Sequence, residues 1–261
     1  MTKKKYNLLS LFLKYAIMLA IVGPMFLLII CVLIASQGVW GPLPDFKELE
    51  DPETNLATEI ISSDQKVLGK YFYENRTHVD YDELSPYIIN ALIATEDERF
   101  FDHSGIDFIA LLRVTKGLLI AKNSLGGGST ITQQLAKMFF SERPKSKIER
   151  IQQKFKEWII AVRIERQYSK KEIISMYLNR FDFLNLAVGI KSASKIYFNS
   201  TPQNLTIEQA ATLIGMAKNP SLYNPLRRLE KTKNRRNIVL SQMVKNEYLS
   251  ANLKDSLQKL P

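Results

Sequence analysis

The pattern of apolar and polar positions predicts one long apolar helix, a short β segment and then a series of amphipathic helices. No charged side chain interrupts residues 15–35, a run long enough for a helix to cross a bilayer core. β-branched and aromatic runs at residues 58–61 and 66–73 surround a polar tetrapeptide, which indicates a small hairpin. We expect helices to dominate from Ser85 onward.

The helix predicted from Ser85-Pro86 roughly to Arg99 carries an acid at the end of its apolar face. The residues of that face follow at spacings of three and four: Ile89, Leu92 and Ile93. Glu96 is the next position on it. A carboxyl group so placed is either desolvated, which suits a general base, or lies where the face opens into a cleft. The alternative is an ordinary polar helix end with Asp97 and Glu98 as solvated neighbours.

Composition and charge divide the chain into six segments. They are a basic cytoplasmic tail at 1–14, a transmembrane anchor at 15–35, a linker at 36–56, a β-hairpin segment at 57–83, the main domain at 84–245, and a helical tail or start of a linker at 246–261. With a formal charge of +10 and the basic flank before the apolar run, the N-terminus should stay cytoplasmic. A cleaved signal peptide is the alternative, but the apolar run is longer than is usual there. The single cysteine, Cys31, excludes an intrachain disulfide.

Two further stretches carry candidate chemistry. Residues 106–121 form an apolar helical stretch that is either a core helix or lies on lipid head groups, with Arg113 and Lys116 reaching phosphates. Residues 123–128 contain three consecutive glycines, so the backbone there is permissive. The hydroxyls of Ser129 and Thr130 and the following helix start can meet an anion.

A second amphipathic helix is predicted from Arg150 to Arg166. Its apolar stripe consists of Ile151, Phe155, Trp158 and Val162, and its polar stripe of Arg150, Lys154 and Glu157. The polar stripe is either a solvated face held by pairs such as Lys154 with Glu157 or a pyrophosphate site, where cations offset charge on a leaving group.

The basic run at residues 227–236 raises the question of nucleic acid. No aromatic platform or recognition motif accompanies it, so we expect no nucleic acid and favour anionic lipid head groups. The two histidines, His78 and His103, are far apart in sequence, and no histidine and cysteine cluster suggests a metal site.

The string TEDERFFDHSG at residues 95–105 and the string GSTITQQ at residues 128–134 closely resemble the peptidoglycan glycosyltransferase family, found in class A penicillin-binding proteins and monofunctional transglycosylases. The resemblance extends from about Leu56 to the C-terminus. It implies a mainly α, lysozyme-like, two-lobed domain, preceded here by the hairpin and one transmembrane helix. It also implies a place at the bacterial plasma membrane with the domain outside the cytoplasm.

The resemblance implies polymerisation of lipid II with release of undecaprenyl pyrophosphate and inversion at the anomeric carbon. Glu96 would take the proton from the attacking hydroxyl. Glu157, with Lys137, Lys154 and an arginine (Arg150 or Arg163), would stabilise the leaving group, with a divalent cation such as Mg²⁺ or Mn²⁺ as a candidate cofactor at Glu157. The implied partners are lipid II, the lipid-linked glycan chain, the membrane and other cell-wall synthesis proteins.

By the same resemblance, further substrate contacts fall on Asp97, Ser129, Thr130, Gln133, Gln134 and Lys137. The chain departs from the family pattern at Met138, Gln153, Leu184 and Leu186. A leucine does not adopt positive φ cheaply, so the loop at Leu184 must take another conformation or tolerate strain.

The departures leave two other functions open: a lysozyme-like enzyme that cleaves glycan, and a scaffold that binds lipid II without polymerising it. The hairpin before Ser85 favours the lineage of bifunctional proteins over the monofunctional enzymes.

Overall fold

The computed structural model describes residues 2–43, 58–62, 67–71, 78–117, 127–140 and 144–260. Chain contacts divide the molecule into two compact units. One comprises Met1–Pro44 with Glu142–Ile160, and the other comprises Asp45–Ser141 with Ala161–Pro261. They are called the first and the second unit below.

The chain is mainly helical, as predicted. Its helices and strands follow in this order: α1 (Thr2–Ser36), β1 (Thr58–Ile61), β2 (Val67–Tyr71), α2 (Pro86–Glu96), α3 (Phe108–Lys116), α4 (Ile131–Phe140), α5 (Lys147–Gln167), α6 (Lys170–Arg180), α7 (Gly189–Phe198), α8 (Ile207–Ala217), α9 (Leu229–Lys245) and α10 (Ala251–Lys259). Short 3₁₀ helices lie at Tyr81–Glu83 and Pro202–Asn204.

Helix α1 contains the predicted anchor. Its part Ser10–Ser36 is long and apolar enough to cross a membrane by length and composition. Within the first unit, the ring of Trp40 lies 6.0 Å from that of Phe155. The Nζ of Lys156 donates a hydrogen bond to the carbonyl of Trp40 at 3.1 Å. The chain that leaves α1 is therefore held against the first part of α5.

Strands β1 and β2 pair antiparallel, with Thr58 opposite Tyr71, and the register shifts between Ile60 and Ile61. The connection at 63–66 and the linker residues 44–56 lie outside the described residues, as do 118–126, which include the first of the three consecutive glycines.

Helix α2 begins where predicted. The hydroxyl of Ser85 accepts the N–H of Tyr87, and Pro86 occupies the first helical position. The helix ends at Glu96 rather than near Arg99, because the backbone of Asp97 leaves the helical region at φ −159° and ψ 76°. The acid therefore stands at the helix end itself.

The core of the second unit lies where α2 packs against α8 and α9, which also pack on each other. Fully buried side chains at this meeting include Leu92, Leu213 and Leu240. Burial of each contributes roughly 1.5–3 kcal/mol. Since α2 is fixed on both of these helices, Glu96 has a rigid support.

The exposure of the side chains of α3 tests the core-helix interpretation of the apolar stretch. Phe108, Ile109 and Leu112 are 66%, 63% and 70% exposed, and among its residues only Ala110 is buried. The core-helix alternative is therefore wrong for Phe108–Lys116, and the contact with lipid head groups stays a prediction. The helix starts two residues later than predicted, because the carboxylate of Asp107 caps it through the N–H of Ala110 at 2.9 Å.

The first part of α5 departs from its predicted apolar stripe. Ile151 is 58% exposed, and Phe155 and Trp158 are half-buried with their rings 5.4 Å apart. The buried side chain of this stretch is instead Glu157, 2% exposed. The solvated-face interpretation is therefore wrong for that carboxylate.

The loop after α6 tolerates strain rather than avoiding it. Leu184, Asn185 and Leu186 are consecutive left-handed residues with φ of 63°, 53° and 63°. Such non-glycine positions cost roughly 1–3 kcal/mol each. Of the two outcomes predicted for Leu184, strain is the one observed.

Part of the basic run at 227–236 is structural. Arg235 and Arg236 are 9% and 4% exposed, and the guanidinium of Arg236 donates to the carbonyl of Leu260 at 2.9 Å. Burial lowers the pKa of Arg236. The prediction that the whole run meets lipid head groups is therefore wrong for these two residues, because both side chains are buried.

Candidate active site

Glu96 is oriented by a chain of hydrogen bonds. The side-chain amide of Gln134 donates to Oε2 of Glu96 at 2.8 Å, and its oxygen accepts the hydroxyl of Tyr177 at 3.2 Å. Tyr177 is 1% exposed, and burial together with the negative charge of Glu96 raises its pKa well above the ordinary value. The phenol therefore keeps its proton and donates, which turns the amide N–H₂ of Gln134 toward the carboxylate.

Asp97 points away from solvent and braces the site. Its carboxylate accepts the first backbone N–H of α4, at Ile131, at 3.0 Å, and the Nε2–H of His103 at 3.0 Å. The tautomer follows because Nδ1 of His103 accepts the N–H of Gly105. Asp97 is 6% exposed and its carboxylate holds both groups, which gives it a positioning role; its substrate contact stays a prediction.

The backbone carbonyl of Gly105 connects the segment 95–105 to the segment 128–134 through hydrogen bonds. It accepts the hydroxyl of Thr130 at 2.8 Å and the side-chain amide of Gln133 at 3.1 Å. Gln133 is 1% exposed, so its predicted role as a substrate contact does not match its inward orientation. Gly105 itself has φ +91°, and a Cβ there would lie 2.9 Å from the backbone of Ala161. Only glycine fits this position without displacing α5.

Glu96 opens into a cleft of about 670 Å³ within the second unit. The predicted site residues that line it are Glu96, Asp97, Ser129, Thr130 and Gln134. The cleft therefore gathers the acid at the end of α2 and the hydroxyls and amide that begin α4. This is the grouping that the two strings predicted.

Cationic side chains line the same cleft, and they come from three other elements: Arg113 of α3, Lys218 after α8, and Arg235 and Lys245 of α9. Sequence patterns did not identify Lys218, Arg235 or Lys245 as site residues. Four carboxylates, those of Glu96, Asp97, Glu98 and Asp107, line the cleft as well, so it presents both an orientable carboxylate and cationic groups to a ligand.

Glu98 forms ion pairs with two of these cations. Its carboxylate accepts Lys245 at 2.8 Å and Arg113 at 2.7 Å. These hydrogen bonds, from Lys245 first and Arg113 second, lower the pKa of Glu98 to about 2 from its ordinary 4.5. Glu98 is therefore a junction between α3 and α9 and not the solvated neighbour considered from the sequence.

We expect Glu98→Gln to lower Tm by about 2–4 °C at pH 7, because each partly exposed ion pair contributes under about 1 kcal/mol. The stabilisation is present above the unfolded pKa and is lost as pH falls toward the lowered folded pKa. The difference between parent and variant should shrink to less than about half at pH 3. Thermal unfolding at both pH values tests this, with exposed Glu230→Gln as the control. A difference that does not change with pH would contradict the assignment.

Glu157 lies in the first unit with two of the predicted cations. Its oxygens contact Arg150 at 2.6 Å and Lys154 at 3.2 Å, and its side chain is 3% exposed. Arg150 and Lys154 are 41% and 26% exposed, so both cations remain reachable for an anion. The structure therefore brings together the predicted polar stripe of α5 as one ion cluster.

This cluster does not fit the predicted divalent cation. Both oxygens of Glu157 are already engaged by positive groups, which would repel a metal ion. Within the described ranges, no group of three or more histidine, cysteine, aspartate or glutamate side chains is placed to hold one.

Two predicted contacts lie at exposed positions. Lys137 is exposed on α4 and, three residues after Gln134, shares its face of the helix. Arg163 is exposed on the part of α5 that belongs to the second unit. Tyr177 is a further site residue that the sequence patterns did not identify.

The domain is mainly helical, and its cleft holds an oriented carboxylate beside cationic side chains. The family profile described as Transglycosylase matches residues 64–244, and the chain belongs to this transglycosylase family.

Similar proteins are penicillin-binding proteins. The chain is 33% identical over 246 residues to penicillin-binding protein 1A of Escherichia coli strain K12, covering 92% of this chain and 28% of that protein. It is 40% identical over 215 residues to penicillin-binding protein 1A/1B of Bacillus subtilis strain 168, covering 80% and 22%. A crystal structure of penicillin-binding protein 1A from Haemophilus influenzae matches with a TM-score of 0.45 at 22% identity, covering 80% of this chain and 21% of that one. The chain thus spans less than a third of the length of these relatives.

Proposed function

We propose that the protein is a peptidoglycan glycosyltransferase that polymerises lipid II into glycan strands for the bacterial cell wall. The observation that carries the proposal is Glu96, which stands in the cleft at the end of a rigid helix with its carboxylate oriented by Gln134. Membership in the transglycosylase family gives the reaction class. The names of the relatives place that class in penicillin-binding proteins.

In this proposal, Glu96 accepts the proton from the 4-hydroxyl of the acceptor sugar as that oxygen attacks the anomeric carbon of the donor chain. The bond to the diphosphate breaks, undecaprenyl pyrophosphate leaves, and the configuration inverts. Gln134 and the buried Tyr177 keep the acceptor oxygen of Glu96 in place. The cations lining the cleft suit the phosphates of a lipid-linked sugar.

The ion cluster of α5 suits a phosphate group. Arg150 and Lys154 offer charge-assisted hydrogen bonds to a diphosphate, and the buried carboxylate of Glu157 holds both cations in position. We assign Glu157 this positioning role.

Helix α1 supports a membrane setting for the reaction. We propose that the N-terminus is cytoplasmic and that the domain lies on the outer face of the plasma membrane, where lipid-linked sugars are anchored; an apolar helix preceded by lysines supports this orientation. We also propose that the domain is two-lobed and lysozyme-like. Other cell-wall synthesis proteins are the proposed partners.

Lys137→Ala should weaken the binding of fluorescent lipid II about tenfold, because a charge-assisted hydrogen bond contributes roughly 1.5–3 kcal/mol. Its Tm should change little, since Lys137 is exposed. Binding titrations with the full chain in detergent measure the first effect, and exposed Lys147→Ala is the matched control. Unchanged affinity in Lys137→Ala would remove this residue from the donor site.

Product analysis separates the three candidate functions. The full chain is incubated with lipid II and, in parallel, with preformed glycan strands. Growth of strands from lipid II supports the proposal. Shortening of preformed strands would instead identify a glycan-cleaving enzyme, and binding of lipid II with neither product would identify a scaffold.

A further inference from the structure

A second cavity lies at the opposite end of α2 from Glu96. It has a volume of about 640 Å³, and its lining includes Val79 and Pro202. The backbone N–H of Ser85, which caps α2, donates to the carbonyl of Pro202 at 3.0 Å, so this cavity adjoins the start of the helix. Eleven helical residues span about 16 Å, so it is separate from the cleft at Glu96.

Two lysines give the cavity its charge. Lys191 and Lys195 lie one turn apart on α7 and both line it, with Ile196 beside them. Lys195 contacts the neutral amide oxygen of Asn199 at 2.6 Å and keeps its charge uncompensated by that contact. The acid in the lining is Glu83, whose carboxylate accepts the backbone N–H of Asp80 at 3.0 Å.

The strained loop supplies an apolar side chain at the same place. Leu186, the last of the three left-handed residues, also lines the cavity and is 89% exposed. Tyr197 stabilises the left-handed conformation of this loop. Its hydroxyl donates to the carbonyl of Phe183 at 2.7 Å and accepts the side-chain amide N–H of Asn185 at 3.0 Å. A fold that holds a leucine in a disfavoured conformation and presents it to water indicates a binding role.

We propose that this cavity, which we call the Leu186 pocket, binds an acidic peptide segment of a partner protein. Carboxylates of the segment pair with Lys191 and Lys195, and one apolar side chain packs between Leu186 and Ile196. Charge complementarity selects the acidic segment. A peptide is favoured over a lipid surface because one exposed leucine beside a concave polar pocket fits a single apolar side chain, whereas membrane-bound surfaces present several apolar residues on one face.

The test uses a fluorescein-labelled peptide in which two glutamates stand on each side of one leucine. Its fluorescence anisotropy is titrated with the full chain in a non-ionic detergent. We expect saturable binding that weakens at least tenfold in the double variant Lys191→Glu with Lys195→Glu. The control double variant, Lys231→Glu with Lys233→Glu on α9, changes the net charge equally and should leave the affinity within about twofold of the parent.

Leu186→Asn separates the binding role from folding. Asparagine tolerates left-handed backbone better than leucine, so this variant should have an equal or higher Tm and still bind the peptide at least fivefold more weakly. A variant with unchanged affinity would overturn the proposal.

Two further results would overturn the proposal. One is equal binding of a peptide with serine in place of leucine, which would reduce the interaction to general charge attraction. The other is binding of phosphatidylglycerol vesicles that depends on Lys191 and Lys195 while the peptide does not bind, which would assign the surface to lipid. Saturable, leucine-dependent and lysine-dependent binding of the peptide supports it.

Discussion

Replacement of Glu96 by glutamine should lower the rate of lipid II polymerisation by about 10²–10⁴-fold, the range that a general base contributes. Glutamine keeps the size of the side chain and a hydrogen bond with Gln134, but its amide does not accept the proton of the attacking hydroxyl. The free energy of unfolding should change little, because Glu96 lies at the end of α2 and lines the cleft.

The matched control is Asp102→Asn, which removes an exposed carboxylate six positions further along the chain. It should polymerise at the parental rate. Initial rates with purified full chains and saturating lipid II give both results. A Glu96→Gln variant that polymerises as fast as the parent would show that the proton goes elsewhere.

Gly105→Ala should be the most destabilising single change among those considered. Left-handed backbone costs alanine roughly 1–2 kcal/mol, and forcing a methyl group against a packed backbone adds roughly 1–3 kcal/mol. The added Cβ would lie 2.9 Å from the carbonyl carbon and oxygen of Ala161, both backbone atoms of α5. We therefore expect Tm to fall by about 5–15 °C.

Gly127→Ala is the control for this prediction, because a Cβ at Gly127 meets nothing within 4 Å. Its Tm should stay within about 2 °C of the parent. The activity of Gly105→Ala should also fall, since the Gly105 carbonyl holds Thr130 and Gln133 of α4. Equal Tm values for the two variants would contradict the packing described here.

Local signals in the sequence predicted local structure well. The cap at Ser85 is confirmed, because it depends on a contact within two residues of the helix start. The position of Glu96 after Ile93 on α2 is confirmed for the same reason. These elements need only the helical period and the chemistry of the helix start.

Residues whose role depends on distant partners were not predictable in this way. Asp97 and Gln133 turn inward because their partners, the start of α4 and the carbonyl of Gly105, lie 34 and 28 positions away in sequence. The pattern of apolar positions in α5 likewise does not show that Glu157 is buried and Ile151 exposed. The periodicity of one helix does not reveal which face its neighbours cover.

The backbone strain in the loop after α6 was also not predictable from the sequence. The sequence showed that Leu184 was a costly residue for positive φ but left two outcomes open. The strained conformation is stabilised by Tyr197, thirteen residues later. Its hydroxyl contacts the carbonyl of Leu184 at 3.4 Å and that of Phe183 at 2.7 Å.

The central claim is that the Glu96 cleft transfers a glycan chain from a lipid diphosphate to a sugar hydroxyl. It is tested most directly by measuring strand growth and released undecaprenyl pyrophosphate in the same reaction of the full chain with lipid II. The account predicts that both products appear together in the parent and that both fall by about 10²–10⁴-fold in Glu96→Gln, while lipid II binding persists. A parent that binds lipid II and forms neither product would contradict it.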